Sequence, residues 1–315
     1  MKLSRVEALQ GAIRRLKDGT TEQLFLEKEL FNTEAGIRGE RRLRKKFVEF
    51  YFPQGYEIIW NNCLSLNDWP VQIDGLLLTD DVAIVIESKN ISGELHFDHV
   101  TGEFYRIDSS GLKTVMDSPA IQVEKHIRFM KAWFAAHSIR MRVDGLLVFT
   151  AKQSELKTLP LNIHTCRLHH MIELLFKIIN NYKPQTNSQI SLRYIKNLIE
   201  SNQQAFLQKP LSLHYSIKPE QLKPGIYCKQ CETPTIVKHT RSWRCTECGI
   251  VDNDSPIRAI HEYISLFGEP VSNHEIRKFI GINDRHTVKR MLTLDGFEKT
   301  GQKRHSKYFI KEKER

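Results

Sequence analysis

At 315 residues, 40% hydrophobic and 27% charged, the chain has the length of two or three domains and a globular composition, with no long low-complexity tract. No apolar run approaches the ~18–20 residues that span a bilayer, and the opening MKLSRVEALQGAIRRLKDG lacks the apolar centre of a signal peptide. The chain therefore reads as cytoplasmic, with no membrane partner and a surface helix at its start. The formal charge of +10 suits a polyanionic partner, nucleic acid first.

In chain order, helical periodicity covers about 3–18 and 21–31, a Gly-marked break follows at AGIRGE, and a helix runs through RRLRKKFVEFYF. Strand patterns come next at YEIIWNN, VQIDGLLL, AIVIES, GELHFD and EFYRID. SPAIQVEKHIRFMKAWFAAH is a helix with Pro119 in its first turn. DGLLVFT reads as a further buried strand, MIELLFKIINNY as a covering helix and SLRYIKNLIESNQQAFL as another. Strands followed by helices and a late buried strand predict an α/β domain with a mixed sheet. The Pro-punctuated KPLSLHYSIKPEQLKPG is expected to be a linker. The domains expected are a helical segment at 1–31, the α/β domain at 32–208, the linker at 209–225, a cysteine module at 226–252 and a helical domain at 255–315.

Charges interrupt the most apolar strands. Glu87 and Lys89 share a face of AIVIESK by strand alternation, and hairpin pairing brings Asp74 beside Glu87. Two carboxylates held close repel unless a hard cation sits between them; Mg²⁺ (or Mn²⁺), with its oxygen ligands, suits the pair. Lys89 would then stabilise charge developing on a phosphoryl group. A third acid joins by helical phase: Ile37, Glu40, Leu43, Phe47 and Phe50 recur at spacings of three and four, which places Glu40 on a core-facing stripe. Gln122 and His126 lie four residues apart on one face of the later helix, continued by Phe129 and Trp133.

GIRGE (36–40), QIDGLLLTDDVAIVIESKNISGEL (72–95) and SPAIQVEKHI (118–127) resemble, in that order, the nuclease-related domain, NERD, of the PD-(D/E)xK nuclease superfamily. The resemblance covers about 32–150, under half the chain. It implies a restriction-endonuclease-like mixed sheet flanked by helices and a divalent-metal phosphodiesterase. Glu40, Asp74, Glu87 and Lys89 fall on the family's acidic and lysine positions, and Gln122 on its helix glutamine. Ile73-Asp74 stands where the superfamily has Pro-Asp. A fold that binds DNA without cutting it, as a regulator or scaffold, is the alternative.

Of six cysteines, Cys228, Cys231, Cys245 and Cys248 form CxxC–x13–CxxC, a zinc-ribbon spacing. Four protein ligands leave no open position, so the Zn²⁺ is expected to be structural. The intervening hairpin offers Lys229, Lys238, His239, Arg241, Trp243 and Arg244 to nucleic acid; a plain staple is the other reading. Cys63 and Cys166 read as small buried hydrophobes.

Residues 255–315 carry 13 Lys/Arg against 8 Asp/Glu, a local excess of +5. Three short helices end at Gly268, Gly281 and Gly296, with Ser272 and Asn283 or Asp284 as N-caps. FEKTGQKRHSKYFI follows as a two-stranded wing. The segment resembles a winged helix, which implies that Arg285, His286, Lys289 and Arg290 face the major groove while Lys303, Arg304 and Lys307 reach phosphates. DNA, in preference to RNA, is the expected partner. Oligomeric state, strand polarity and endo- or exonucleolytic action are not legible.

Overall fold

A computed structural model describes residues 3–182, 190–204, 209–294, 296–302 and 305–311. Two helices open the chain, α1 (Arg5–Arg15) and α2 (Thr21–Phe47). The chain divides into a central unit, Ala35–Phe206, and a terminal unit built from Met1–Glu34 and Leu207–Arg315; α2 contributes to both. Among the described residues no helix is long and apolar enough to cross a membrane.

The central unit contains β1 (Glu57–Leu66), β2 (Trp69–Leu78), β3 (Ala83–Lys89), β4 (Gly93–Phe97), β5 (Phe104–Ile107), β6 (Lys113–Met116), α3 (Pro119–Ala136), β7 (Val143–Phe149), β8 (Ser154–Leu156), β9 (His164–Arg167), α4 (Met171–Asn180) and α5 (Leu192–Ser201). The main sheet runs β1-β2-β3-β7-β9. Its first three strands are antiparallel, and β3, β7 and β9 are parallel, so the sheet is mixed and flanked by helices. Alternation along β3 sends Ala83 and Val85 towards α3 and α5, and Ile84 and Ile86 towards α2 and α4. Continued to the strand's end, the same alternation puts Glu87 and Lys89 on the α3 side. A second sheet, β6-β5-β4-β8, packs Leu95, Phe97 and Phe104 against Leu147 and Phe149 of β7. Strands β6, β8 and β9 are three or four residues long, too short for a periodicity to announce them.

The glycine break expected at AGIRGE does not occur: α2 is continuous for 27 residues. Gly39 instead marks a close approach. A Cβ there would meet Thr150 Oγ1 at 2.6 Å and Asn90 Cβ at 2.9 Å, so glycine lets α2 lie against the ends of β3 and β7. Ile37, expected on the buried stripe, is 43% exposed, while Leu43, Phe47 and Phe50 are buried.

The terminal unit adds α6 (Leu211–Tyr215), β10 (Ile236–Lys238), β11 (Trp243–Cys245), α7 (Ser255–Phe267), β12 (Val271–Ser272), α8 (Asn273–Ile280), α9 (Arg285–Leu294), β13 (Phe297–Thr300) and β14 (Lys307–Ile310). Strands β10 and β11 pair as a hairpin, and β12-β14-β13 form a three-stranded sheet. Ser272 caps α8 in a capping box with Glu275, and Gly281 closes it at φ +69°.

Two expectations change here. Helix α1 is not a surface helix: Ala8, Leu9, Ala12 and Leu16 lie in the same core as Ile226, Ile236, Ile260 and Ile276. Arg15 is fully buried. Its Nε and Nη2 donate to Glu262 Oε2 (3.1 and 2.6 Å), and Nη1 donates to the carbonyls of Gly225 (3.0 Å) and Lys223 (3.4 Å). The guanidinium also stands 4.1 Å from the Phe279 ring centroid and 4.6 Å from that of Tyr227. The segment at 209–225 is not a free linker either, because Leu211, Ile217 and Leu222 are buried in that core.

Candidate active site and cysteine cluster

The β2–β3 pairing ends at Gly75↔Ile86, immediately before Asp74 and Glu87 on their two strands. Asp74 Oδ2 accepts from the backbone N–H and the hydroxyl of Ser88, both at 2.9 Å. Glu87 is 2% exposed. Its Oε1 accepts from Lys89 Nζ at 2.9 Å, and the same ammonium donates to Gln122 Oε1 at 2.9 Å. Thus α3 fixes Lys89 beside the acid, as the shared strand face and the helix phase lead one to expect. Glu87 Oε2 has no hydrogen-bond partner among the described residues and stands 3.6 Å from His126 Nδ1.

Burial, and then the Asp74 charge, push the Glu87 carboxyl up to about 7 despite the opposing pull of Lys89. Burial and Asp74 likewise raise Glu40, while Arg44, a hydrogen bond with Asn61 and Lys89 lower it. Burial drives the His126 imidazole down to about 4, against the pull of Asp74. A dense set of anionic groups is thus held where its charge is costly.

Glu40 reaches this company because α2 is clamped. Arg42 Nη1 donates to Asn90 Oδ1 (3.3 Å) and to the Thr150 carbonyl (3.2 Å), and Asn90 Nδ2 donates to the Ala35 carbonyl (2.7 Å). Asn61, the partner of Glu40, sits at φ +54° between the Trp60↔Gly75 and Asn62↔Ile73 pairs. Asparagine tolerates that left-handed backbone better than other side chains. Sequence reading missed Asn61, the Ser88 hydroxyl, Arg42 and Asn90. The one available signal was an Asn-Asn pair inside a strand.

The acids come within electrostatic range without closing into a ring. Among the described residues, four cysteines form the group whose ligand atoms all lie within 4.8 Å of one another. Cys228 and Cys248 Sγ are 3.7 Å apart, Cys231 and Cys245 Sγ 3.8 Å. Backbone N–H groups of Gln230, Glu247 and Cys248 point at Cys228 or Cys245 sulfur at 3.4 Å. The cluster fits a structural Zn²⁺ with no vacant protein position. Cys166 is buried, its thiol pushed up to about 12, and Cys63 is half-buried.

Residues 35–150 match the family model described as the nuclease-related domain, NERD. This stretch is a nuclease-related domain. The match begins where the central unit begins and ends one residue after β7, leaving β8, β9, α4 and α5 outside it. Comparison with curated proteins and with solved structures returned no match.

In the terminal unit, Arg285, His286, Lys289 and Arg290 are exposed on α9, whose opposite face buries Val288 and Leu292. Asp284 caps the helix by accepting from the His286 and Thr287 N–H groups. Lys238 of the cysteine hairpin donates to Thr287 Oγ1 at 2.6 Å, tying hairpin and helix together. Trp243, expected to be exposed, is half-buried against the unit's core. Lys307 pairs with Glu275 at 3.4 Å, and Lys303 and Arg304 lie outside the described residues.

Proposed function

We propose that the chain is a divalent-metal-dependent nuclease acting on DNA. The observation that carries this reading is Glu87: a buried carboxylate, one oxygen fixed by Lys89, the other without a hydrogen-bond partner among the described residues, with the Asp74 charge near enough to raise its pKa. Such a group fits a cation, which would replace mutual repulsion with attraction. Asp74 and Glu87 would hold Mg²⁺ or Mn²⁺, and Glu40 would complete the shell or orient a bound water. A cation so bound polarises a phosphoryl oxygen and activates water. Lys89, anchored by Gln122, supplies a fixed positive charge for the phosphoryl oxygens as negative charge develops on them.

The terminal unit supplies the grip. Helices α7 to α9 with the β13–β14 ribbon resemble a winged helix, with α9 presenting Arg285, His286, Lys289 and Arg290 to the major groove. Lys307 on β14 is assigned to a phosphate contact, and Lys303 and Arg304, which lie outside the described residues, are assigned the same partner by the resemblance alone. The cysteine hairpin, joined to α9 through Lys238, extends the same cationic surface. Tethering by this unit raises the local DNA concentration at the nuclease site. DNA repair, recombination or defence are the settings that need such a protein.

A second reading, a catalytically silent DNA-binding regulator or scaffold, is favoured by one observation: Glu40, Asp74 and Glu87 do not close into a compact ligand set. Cleavage assays on single-stranded, duplex and branched DNA, and on RNA, with Mg²⁺ or Mn²⁺, separate the two. Wild type should cut DNA, and Asp74→Ala and Lys89→Ala should lose at least ~100-fold, in line with the loss of one charge-stabilising group. No cleavage of any substrate rejects the enzyme; equal cleavage by the variants rejects the site.

A further inference from the structure

The two oxygens of Glu87 are divided between two residues of one helix face. Oε1 meets Lys89, which Gln122 holds, and Oε2 faces Nδ1 of His126, one turn along α3. Glu87 is 2% exposed and His126 7%, and among the described residues neither Oε2 nor Nδ1 has a hydrogen-bond partner. Two buried polar atoms left without partners and facing each other call for an explanation.

Their 3.6 Å separation is too long for a hydrogen bond between them, since N–H···O bonds run to ~3.2 Å. Donors on a common ion behave differently. With each ~2.1 Å from the cation, two ligands stand ~3.0–3.4 Å apart, within a small side-chain adjustment of the observed spacing. In the tautomer with its proton on Nε2 the imidazole turns a lone pair towards the carboxylate, and a cation between them makes that arrangement favourable; with the proton on Nδ1 instead, that nitrogen stands 3.6 Å from its acceptor, too far for a good hydrogen bond.

We propose that His126 is itself a cation ligand, giving the site an imidazole donor beside Glu87 and a preference for a first-row transition ion over Mg²⁺. Mg²⁺ takes oxygen and gives up water reluctantly, whereas imidazole nitrogen suits transition ions. The inference rests on the reading above only in taking Asp74 and Glu87 to hold a cation.

The test uses the full chain with its cysteines loaded with zinc, titrated with Mn²⁺ and followed by electron paramagnetic resonance. Mn²⁺-loaded wild type should show nitrogen hyperfine coupling from a bound imidazole, a readout that needs no variant. His126→Gln should abolish that coupling and weaken Mn²⁺ by about tenfold or more, with a smaller loss for Mg²⁺ measured by calorimetry. Absent nitrogen coupling, or equal losses for both ions in His126→Gln, overturns the proposal. Asp74→Asn distinguishes the levels: if it abolishes Mn²⁺ binding while wild type lacks nitrogen coupling, only the His126 assignment fails. If Asp74→Asn leaves Mn²⁺ binding unchanged, the cation site at Asp74 and Glu87 fails, and the His126 proposal with it.

Discussion

The two units each bury a carboxylate against a cation, and they finish the job differently. In the terminal unit Glu262 is saturated: Arg15 engages Oε2 twice, Arg14 takes Oε1, and aromatic rings and backbone carbonyls enclose Arg15. In the nuclease-related domain Glu87 is half satisfied, with Lys89 on one oxygen and, among the described residues, nothing hydrogen-bonded to the other. A buried ion pair that uses all its capacity is a structural joint. One that leaves an oxygen spare next to a second acid is, on the reading proposed above, a place for a cation. The cysteine cluster falls on the structural side: its four sulfurs close a set with no vacant protein position.

This contrast can be broken from either side. Chelating the zinc that the cysteines fit should have the largest effect. Isolated zinc-finger peptides gain ~10–16 kcal/mol from the metal, and here Cys228, Cys245, Ile226 and Ile236 belong to the core of the whole terminal unit. Hydrogen exchange should therefore show protection lost in α1, α7 and α8 as well as in the hairpin; loss confined to 226–252 would make the module independent. Next comes Arg15→Met, which leaves Glu262 Oε2 without its guanidinium while Arg14 keeps Oε1, and should destabilise the terminal unit by roughly 3 kcal/mol, the low end for breaking a buried pair. Joint replacement of Arg15 and Glu262 by apolar residues should recover much of that in denaturant melts.

Gly39→Ala should cost about 1–3 kcal/mol by overpacking against Thr150 and Asn90. It should weaken cation binding as well, because it displaces the helix that carries Glu40.

Glu87→Gln should act in the opposite direction on the metal-free fold. The folded carboxyl is raised to about 7 from 4.5, so between those values the native state holds a proton that the unfolded chain has released. Stability of the metal-free domain should therefore fall as pH rises from about 4.5 to about 7 and level off above. The variant should flatten that slope and, near neutral pH, gain roughly 1–3 kcal/mol while losing the cation. Urea melts across pH measure it; stability rising through this window would mean that Glu87 is well accommodated as an anion.

What the sequence disclosed follows the same division. Strands β1, β2, β3 and β7 of the mixed sheet and the facing of Glu87, Lys89, Gln122 and His126 follow from alternation and helical phase, both local properties, whereas the short β9 does not. Glu40 was placed in the right company by a faulty stripe, since Ile37 is exposed and Gly39 makes the contact. AGIRGE looked like a break because glycine's low helix propensity is visible in sequence, whereas the closeness of Thr150 and Asn90, over fifty residues away, is not. Helix α1 looked like a surface helix for a related reason: Arg14 and Arg15 carry no mark of the Glu262 that neutralises them almost 250 residues later. Pairings that distant are set by tertiary packing. Lys307 belongs with them, its partner Glu275 being fixed by the β12–β14 register.

The spare oxygen of Glu87 is proposed above to mark a cation site. Anomalous diffraction from crystals of the zinc-loaded protein soaked in Mn²⁺ tests it directly. A manganese peak is expected within coordination distance, ~2.0–2.2 Å, of carboxylate oxygens of both Asp74 and Glu87. Manganese-dependent density absent from that position in well-ordered crystals would contradict it.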